Sequence, residues 1–238
     1  MKAGIFTTTI DRIVDMGKDL RHFKLGFYPG TSFDFEAGQF VNILIAETPE
    51  HKAVKRPYSI ASPPLWKGYF DLCWKRVDGG YVTNLLWTYK EGDKLQIQGP
   101  LGRFTPKQPL PKTIVFISTG TGIAPFRSMI HVFLAENNPS FQIWNIFGNR
   151  YEDEILYKKE FEDLAAKHAN FHNIFTVSRP VTWKGESQYV QFVLRKNIPC
   201  SPDTHIYICG LTSMIVEVQK TALEMGFAKE QVFFEKYD

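Results

Sequence analysis

Apolar residues alternate with polar ones from Phe23 to Phe27 within the run LRHFKLGF at 20–27. A period of two is what a strand with one buried face requires. The runs at 39–46 (QFVNILIA), 69–76 (YFDLCWKR) and 93–98 (DKLQIQ) are also β-rich, and Gly, Pro or charged turns bound them. Several short strands at this spacing predict a sandwich or barrel. One helix-like segment, near 80–89, interrupts them.

The pattern changes at 106–112, where PKQPLP is dense in proline and reads as a linker. Beyond it, strand-like runs at 113–118, 141–147, 172–177, 205–209 and 231–235 alternate with helical segments near 124–137, 155–168, 187–197 and 213–225. In the second helix Phe161, Leu164, Ala165 and His168 fall at i, i+3, i+4 and i+7, one apolar face. Gly226 follows the last helix as a C-cap. Five strands with intervening helices predict βαβ crossovers and a parallel sheet covered on both faces. The expected architecture is therefore two domains, an antiparallel β-barrel over 1–108 and an α/β domain with a five-stranded parallel sheet over 112–238. No internal repeat interrupts this order.

Composition narrows the function. The chain of 238 residues is 44% hydrophobic and 22% charged, enough to bury a core and unlike a disordered chain. Its 20 phenylalanines suit core filling or the walls of a pocket for a flat ligand. A net charge of +3 is too balanced for a general nucleic-acid binder. The charge is nonetheless divided: residues 1–110 hold 15 Lys/Arg and 11 Asp/Glu, net +4, and residues 111–238 hold 13 and 14, net −1. No apolar run is long enough for a transmembrane helix. Asp11 and Arg12 interrupt the N-terminus before a signal-peptide core develops. The three cysteines, Cys73, Cys200 and Cys209, suggest reduced thiols in a cytoplasmic protein, and they are too few for a four-cysteine iron–sulfur cluster. No metal site is legible.

Three strings carry candidate chemistry. The segment 118–129, STGTGIAPFRSM, follows a buried strand and opens a helix. Its glycines let the backbone approach a phosphate, and a helix N-terminus offers free N–H groups. It departs from a full Rossmann fingerprint because Pro125 replaces the third glycine, and it lacks the Gly-Lys-Ser/Thr of a P-loop. In RPYSIAS at 56–62, Arg56 and Tyr58 share one face of a strand and Ser59 takes the other. In GGYVTNLL at 79–86, two glycines precede a short helix. Each string alone also suits a plain turn or edge strand.

In this order, with Cys209-Gly210-Leu211 near the C-terminus, GPLGRF at 99–104 and LYKKEF at 156–161, the three strings resemble the ferredoxin–NADP+ reductase family across nearly the whole chain. The resemblance implies FAD in the barrel and NADP(H) in the α/β domain. It implies that Arg56 holds a flavin-side phosphate, Tyr58 packs on the isoalloxazine, and Ser59 hydrogen-bonds near flavin N5. Gly80, Val82 and Thr83 would cradle the FAD pyrophosphate. Gly120, Thr121 and Gly122 would receive the nicotinamide dinucleotide, with Cys209 and Gly210 near its reactive ring. Ser59, Cys209 and Glu235 form the implied catalytic set. The C-terminus departs from the plant pattern, in which a terminal aromatic residue lies over the flavin; Glu235 with Tyr237 resembles the acid-plus-aromatic ending of bacterial members, which counts Tyr237 among the implied cofactor-binding residues, with shielding of the flavin and the plain end of the last strand both open.

Coenzyme preference is read from FTVSR at 175–179, which brings Ser178 and Arg179 to the end of a strand. Arginine suits a 2′-phosphate, whereas an NAD site commonly places a carboxylate at the ribose, and none occurs from 172 to 185. Tyr189 and Gln191 resemble plant-type contacts to the adenine and phosphate, although the family's lysine two residues before that tyrosine is Ser187 here. The implied activity is hydride transfer between NADP(H) and FAD, with single electrons passing to or from an acidic ferredoxin or flavodoxin, and no membrane or nucleic acid involved. The rival readings are an NADH-dependent reductase component of an oxygenase and an electron-transfer subunit without its own reductase activity.

Overall fold

The structure, a computed structural model, describes residues 3–237. It divides into two compact units. One comprises the chain up to Pro106 together with Ala124–Val132; the other comprises Lys107–Ile123 and the chain from Phe133 onward.

The first unit holds β1 (Gly4–Gly17), β2 (Leu20–Phe27), β3 (Phe40–Ile45), β4 (Val54–Ser59), β5 (Tyr69–Lys75), the helix α1 (Tyr81–Thr88) and β6 (Lys94–Leu101). They form one antiparallel sheet in the order β4-β3-β6-β1-β2-β5. Its two edges meet where Ile60 bridges Leu72 and the Ala61 N–H donates to the Asp71 carbonyl at 2.8 Å, so the sheet curls toward closure. The interior is Ile10, Phe23, Leu25, Val41, Ile43, Phe70, Leu72, Trp74 and Ile97, all essentially inaccessible. Thirteen of the 20 phenylalanines are buried across the chain, so most serve as core. The 14-residue β1 has no counterpart in the hydrophobic pattern. Within it only Thr8 and Ile10 are buried, and Thr8 Oγ1 donates to the Leu95 carbonyl at 2.9 Å.

The second unit holds β7 (Thr113–Thr119), β8 (Gln142–Asn149), α3 (Lys158–Lys167), β9 (Phe171–Val177), α4 (Val190–Asn197), β10 (Thr204–Gly210), α5 (Thr212–Glu224) and β11 (Val232–Lys236). Its sheet is parallel throughout, in the order β11-β10-β7-β8-β9. One face carries Val115, Ile117, Ile146, Ile206 and Ile208 and packs on Val190, Val193 and Leu194 of α4 and Ile215, Val218 and Ala222 of α5. On the other, Phe116 meets Phe133 and Phe171 meets Phe161 of α3. The apolar face expected on α3 forms, with Phe161 buried and Leu164 and Ala165 half-buried, and His168 stands just beyond the helix. Gly226, at φ +98°, ends α5: its N–H reaches the Leu223 carbonyl at 3.0 Å, and the Phe227 N–H reaches Ala222 at 3.1 Å, the Schellman pattern. Among the described residues, no helix is long and apolar enough to cross a membrane.

The helix α2 (Ile123–Ala135) follows the Gly120–Gly122 turn, and most of it packs with the first unit. Arg127, 6% exposed, donates from Nη1 to Asp71 Oδ2 and to the Ala61 carbonyl, both at 3.1 Å. Ser128 donates to the Ser62 carbonyl at 2.7 Å. His22 Nε2 lies 3.6 Å from the same Asp71 oxygen. Burial alone would raise the Asp71 carboxyl, but His22 and Arg127 outweigh it and hold the group below its ordinary value. Its contribution to stability is therefore present above the unfolded-state pKa and fades as pH falls through the folded-state one. Arg127→Ala leaves Asp71 buried with a weakened cationic partner set and should lower unfolding free energy by about 3–5 kcal/mol at neutral pH. Urea denaturation checks this. The deficit should narrow in acid, and equal stability of variant and wild type at neutral pH would show that the pair contributes nothing.

Candidate functional site

On β4 the strand alternation places Arg56 outward and exposed, Tyr58 half-buried and Ser59 inward, 4% exposed. The Arg56 guanidinium bonds the adjacent Lys55 carbonyl at 3.0 Å, a local contact that leaves most of its donors for another partner. Tyr58 leans on Trp74, with ring centroids 5.5 Å apart, and burial pushes its hydroxyl up to about 12 despite the charge of Arg56. It stays neutral at any physiological pH and offers a flat face.

Gly80 precedes α1 and no side chain caps that helix. A Cβ on Gly80 would lie 2.8 Å from Thr83 Oγ1, so the glycine keeps the turn tight. Thr83 Oγ1 accepts the Val77 N–H at 3.1 Å, and Asn84 Nδ2 donates to the Gly80 carbonyl at 2.8 Å. Arg76 in turn donates to Asn84 Oδ1 at 2.7 Å. Thr83 thus shapes the loop through its hydroxyl, while Val82, 4% exposed, anchors the helix in the core. The first N–H groups of α1 have no side-chain partner, which suits an anion.

The second cluster lies at the carboxyl ends of the parallel strands, where open α/β sheets bind ligands. Gly120 takes φ +55°, and a Cβ there would meet nothing within 4 Å. Thr121 is half-buried, and no side chain caps the turn at Thr119. Gly122 is different: a Cβ would fall 2.3 Å from the Cys209 carbonyl oxygen, so this turn rests directly on β10. Gly210, at φ +147°, would place a Cβ 2.4 Å from Thr119 Oγ1.

Parallel register puts Ser118, Cys209 and Glu235 side by side on three neighbouring strands. Cys209 is fully buried. Burial first, and the Glu235 charge second, push its thiol well above the ordinary value, against a smaller opposing effect of Tyr237. Cys209 is therefore a neutral thiol rather than a thiolate nucleophile. The Tyr237 N–H donates to the Gly210 carbonyl at 3.0 Å, which ties the C-terminal residues to β10.

The hydrophobic pattern did not single out the polar atoms on this rim. Ser118 Oγ, Thr119 Oγ1 and both polar atoms of the Asn149 side chain are buried without a hydrogen-bond partner. Buried groups of this kind usually have one, and they sit at the ends of β7 and β8, beside the glycine turn. Polar residues ending the otherwise apolar runs IVFIST and IWNIFGN were the available signal. Further along, the Asn149 carbonyl accepts the Ser178 N–H at 3.0 Å and the Arg150 carbonyl accepts the Arg179 N–H at 2.8 Å. Arg179 and Tyr189 are exposed, Ser178 and Gln191 half-buried. The residues fit the expected groups: among the described residues, these orphaned polar atoms, the uncapped glycine turn and the exposed Arg179 guanidinium are of the chemistry that phosphate and hydroxyls can satisfy.

Residues 7–105 match the family model of the oxidoreductase FAD-binding domain, and residues 116–220 that of the oxidoreductase NAD-binding domain. The chain is 38% identical, over 88% of both sequences, to a ferredoxin–NADP reductase B of Sorangium cellulosum. It is 32% identical to an NADH-cytochrome b5 reductase 2 of Scheffersomyces stipitis, over 78% of this chain and 68% of the relative. A ferredoxin NADP+ reductase of Neisseria gonorrhoeae, solved with bound FAD and NADP, shares the fold with a TM-score of 0.85 at 21% identity, over 99% of each chain. These features define a flavin- and nicotinamide-binding oxidoreductase. The chain belongs to the ferredoxin–NADP+ reductase family.

The two rim glycines differ in what they tolerate. Gly120→Ala meets open space and carries only the strain of a left-handed residue, roughly 1–2 kcal/mol. Gly122→Ala must displace the β10 backbone and should cost more, about 3 kcal/mol, the upper end of the overpacking range, or greater if β10 cannot yield. Denaturant unfolding of the two variants compares them, and a milder effect at Gly122 would contradict this packing.

Proposed function

We propose that the protein is an FAD-dependent reductase that uses NADPH and exchanges single electrons with a ferredoxin or flavodoxin. FAD when bound supplies the hydride acceptor and converts a two-electron donor into one-electron steps. In this reading Arg56 pairs with a phosphate, Tyr58 supplies a neutral flat surface, and the Ser59 hydroxyl donates a hydrogen bond near the reactive nitrogen. Gly80, Val82 and Thr83 shape the N-terminus of α1 for the pyrophosphate. Gly120, Thr121, Gly122 and Gly210 let a dinucleotide approach the backbone. The protonated Cys209 thiol packs beside the nicotinamide, with Glu235 holding negative charge next to it and Tyr237 closing that end.

The observation that carries the coenzyme assignment is the end of β9. Ser178 and Arg179 stand there, and no carboxylate occurs from 172 to 185. A guanidinium can pair with a 2′-phosphate in two parallel hydrogen bonds. The likeness to an NADH-cytochrome b5 reductase, and Trp183-Lys184-Gly185 after Ser-Arg-Pro, favour NADH as the second reading. Wild-type kcat/KM should be higher with NADPH. Arg179→Ala should shrink the NADPH-to-NADH ratio by raising KM for NADPH, the loss of a charge-assisted bond worth about 1.5–3 kcal/mol. Equal use of both coenzymes by the wild type would overturn the NADPH assignment, and a higher kcat/KM with NADH would select the second reading.

The carrier assignment is supported by the net +4 of residues 1–110 and by the ferredoxin–NADP reductase relative. Acidic carriers should be reduced with an association rate that falls as salt rises. Stopped-flow rates that do not change between low and high ionic strength would count against an electrostatically steered acidic partner.

A further inference from the structure

After Val177 the chain leaves the sheet, runs through residues 178–185 and returns at Glu186, which bridges Thr176 and accepts the Val177 N–H at 3.0 Å. This excursion carries Arg179. Its return leg is fastened from within: Trp183 Nε1 donates to the Glu186 carbonyl at 2.8 Å, and the Thr176 hydroxyl donates to the Gln188 carbonyl. The Glu186 carboxylate accepts the Ser187 N–H at 3.0 Å and the Gln188 N–H at 3.2 Å, and it pairs with Lys196 at 2.8 Å.

The outward leg is fastened by a residue from a different connection. Glu152 lies in the turn after β8, two residues beyond Arg150, whose carbonyl holds the Arg179 N–H. Glu152 Oε1 accepts the Thr182 N–H at 2.5 Å and the Thr182 hydroxyl at 2.8 Å, and Oε2 accepts the Val181 N–H at 3.2 Å. Both carboxylate oxygens are therefore spent on the tip of the loop. Val181 is 78% exposed and Thr182 is exposed, so no core packing holds them there. Arg179 is thus fixed at its own N–H by Arg150 and two residues later by Glu152.

We propose that Glu152 is a positioning residue for coenzyme selection, fixing the 179–182 segment so that Arg179 is presented in one conformation to the 2′-phosphate. This rests on the NADPH reading above. Hydrogen bonds led by the Thr182 N–H pull the Glu152 carboxyl down to about 2, so the clamp remains ionised across the working pH range. A residue that meets its ligand in only a fraction of its conformations lowers apparent affinity by that fraction and leaves the chemical step alone.

The test compares Glu152→Ala, Glu152→Gln, Arg179→Ala and the double variant Glu152→Ala/Arg179→Ala in the flavin-loaded full chain, by steady-state kinetics with each coenzyme and by amide hydrogen exchange. Glu152→Ala should raise KM for NADPH about five- to tenfold, change kcat little, and move KM for NADH much less. Glu152→Gln retains an acceptor oxygen and should fall between. Exchange at Val181 and Thr182 should quicken in Glu152→Ala. Adding Glu152→Ala to Arg179→Ala should change KM for NADPH no further. If Arg179→Ala shifts the coenzyme ratio while Glu152→Ala leaves both KM for NADPH and the two amides unchanged, this inference fails and the NADPH reading stands. If Glu152→Ala lowers kcat equally with both coenzymes, the residue is merely structural and the inference also fails. If Arg179→Ala leaves the ratio unchanged, both fall together.

Discussion

The contact between Gly122 and the Cys209 carbonyl is the constraint on which the nucleotide-binding unit depends. Only a residue without Cβ lets the turn after β7 lie on the end of β10. No side chain caps the turn at Thr119. Beneath it, the parallel register of β7, β10 and β11 sets Ser118, Cys209 and Glu235 in one row. The turn then feeds α2, whose Arg127 and Ser128 are bound to Ala61, Ser62 and Asp71 of the barrel unit. A single glycine thus seats an uncapped turn on the strand that carries Cys209, in the row of side chains proposed to face the nicotinamide.

The same row sets limits on the chemistry. A thiol buried beside a carboxylate stays protonated, so Cys209 is not poised as a thiolate nucleophile. The unpaired polar atoms of Ser118, Thr119 and Asn149 lie on that rim. Keeping such groups without partners destabilises the chain by itself, which is reasonable where a ligand completes them.

Much of this was legible in the sequence. Parallel strands buried on both faces read as apolar runs, so β7 to β11 and the helices between them were placed within a few residues. The glycine turn, the β4 string and the α1 turn stood out because the three occur together, in the order of a known family. The strand β1 was not legible: it is long, largely exposed and polar, and it is held by its neighbours β2 and β6 more than by its own alternation. Arg127, Asn149 and Glu152 were also missed. Their roles arise from partners 56, 29 and 30 residues away in sequence. Spacing along one strand or helix cannot reveal such pairings. The beginning of α4 was placed early because the 178–189 excursion is organised by carboxylates and not by periodicity.

The central claim is that one chain binds both a flavin and a nicotinamide coenzyme and is proposed to pass hydride between them. Anaerobic titration of the purified, FAD-loaded protein with NADPH, followed by flavin absorbance, tests it most directly. The account predicts bleaching of the flavin band by about one equivalent of NADPH, and more rapidly than by NADH. A flavin that stays oxidised with either coenzyme would contradict it.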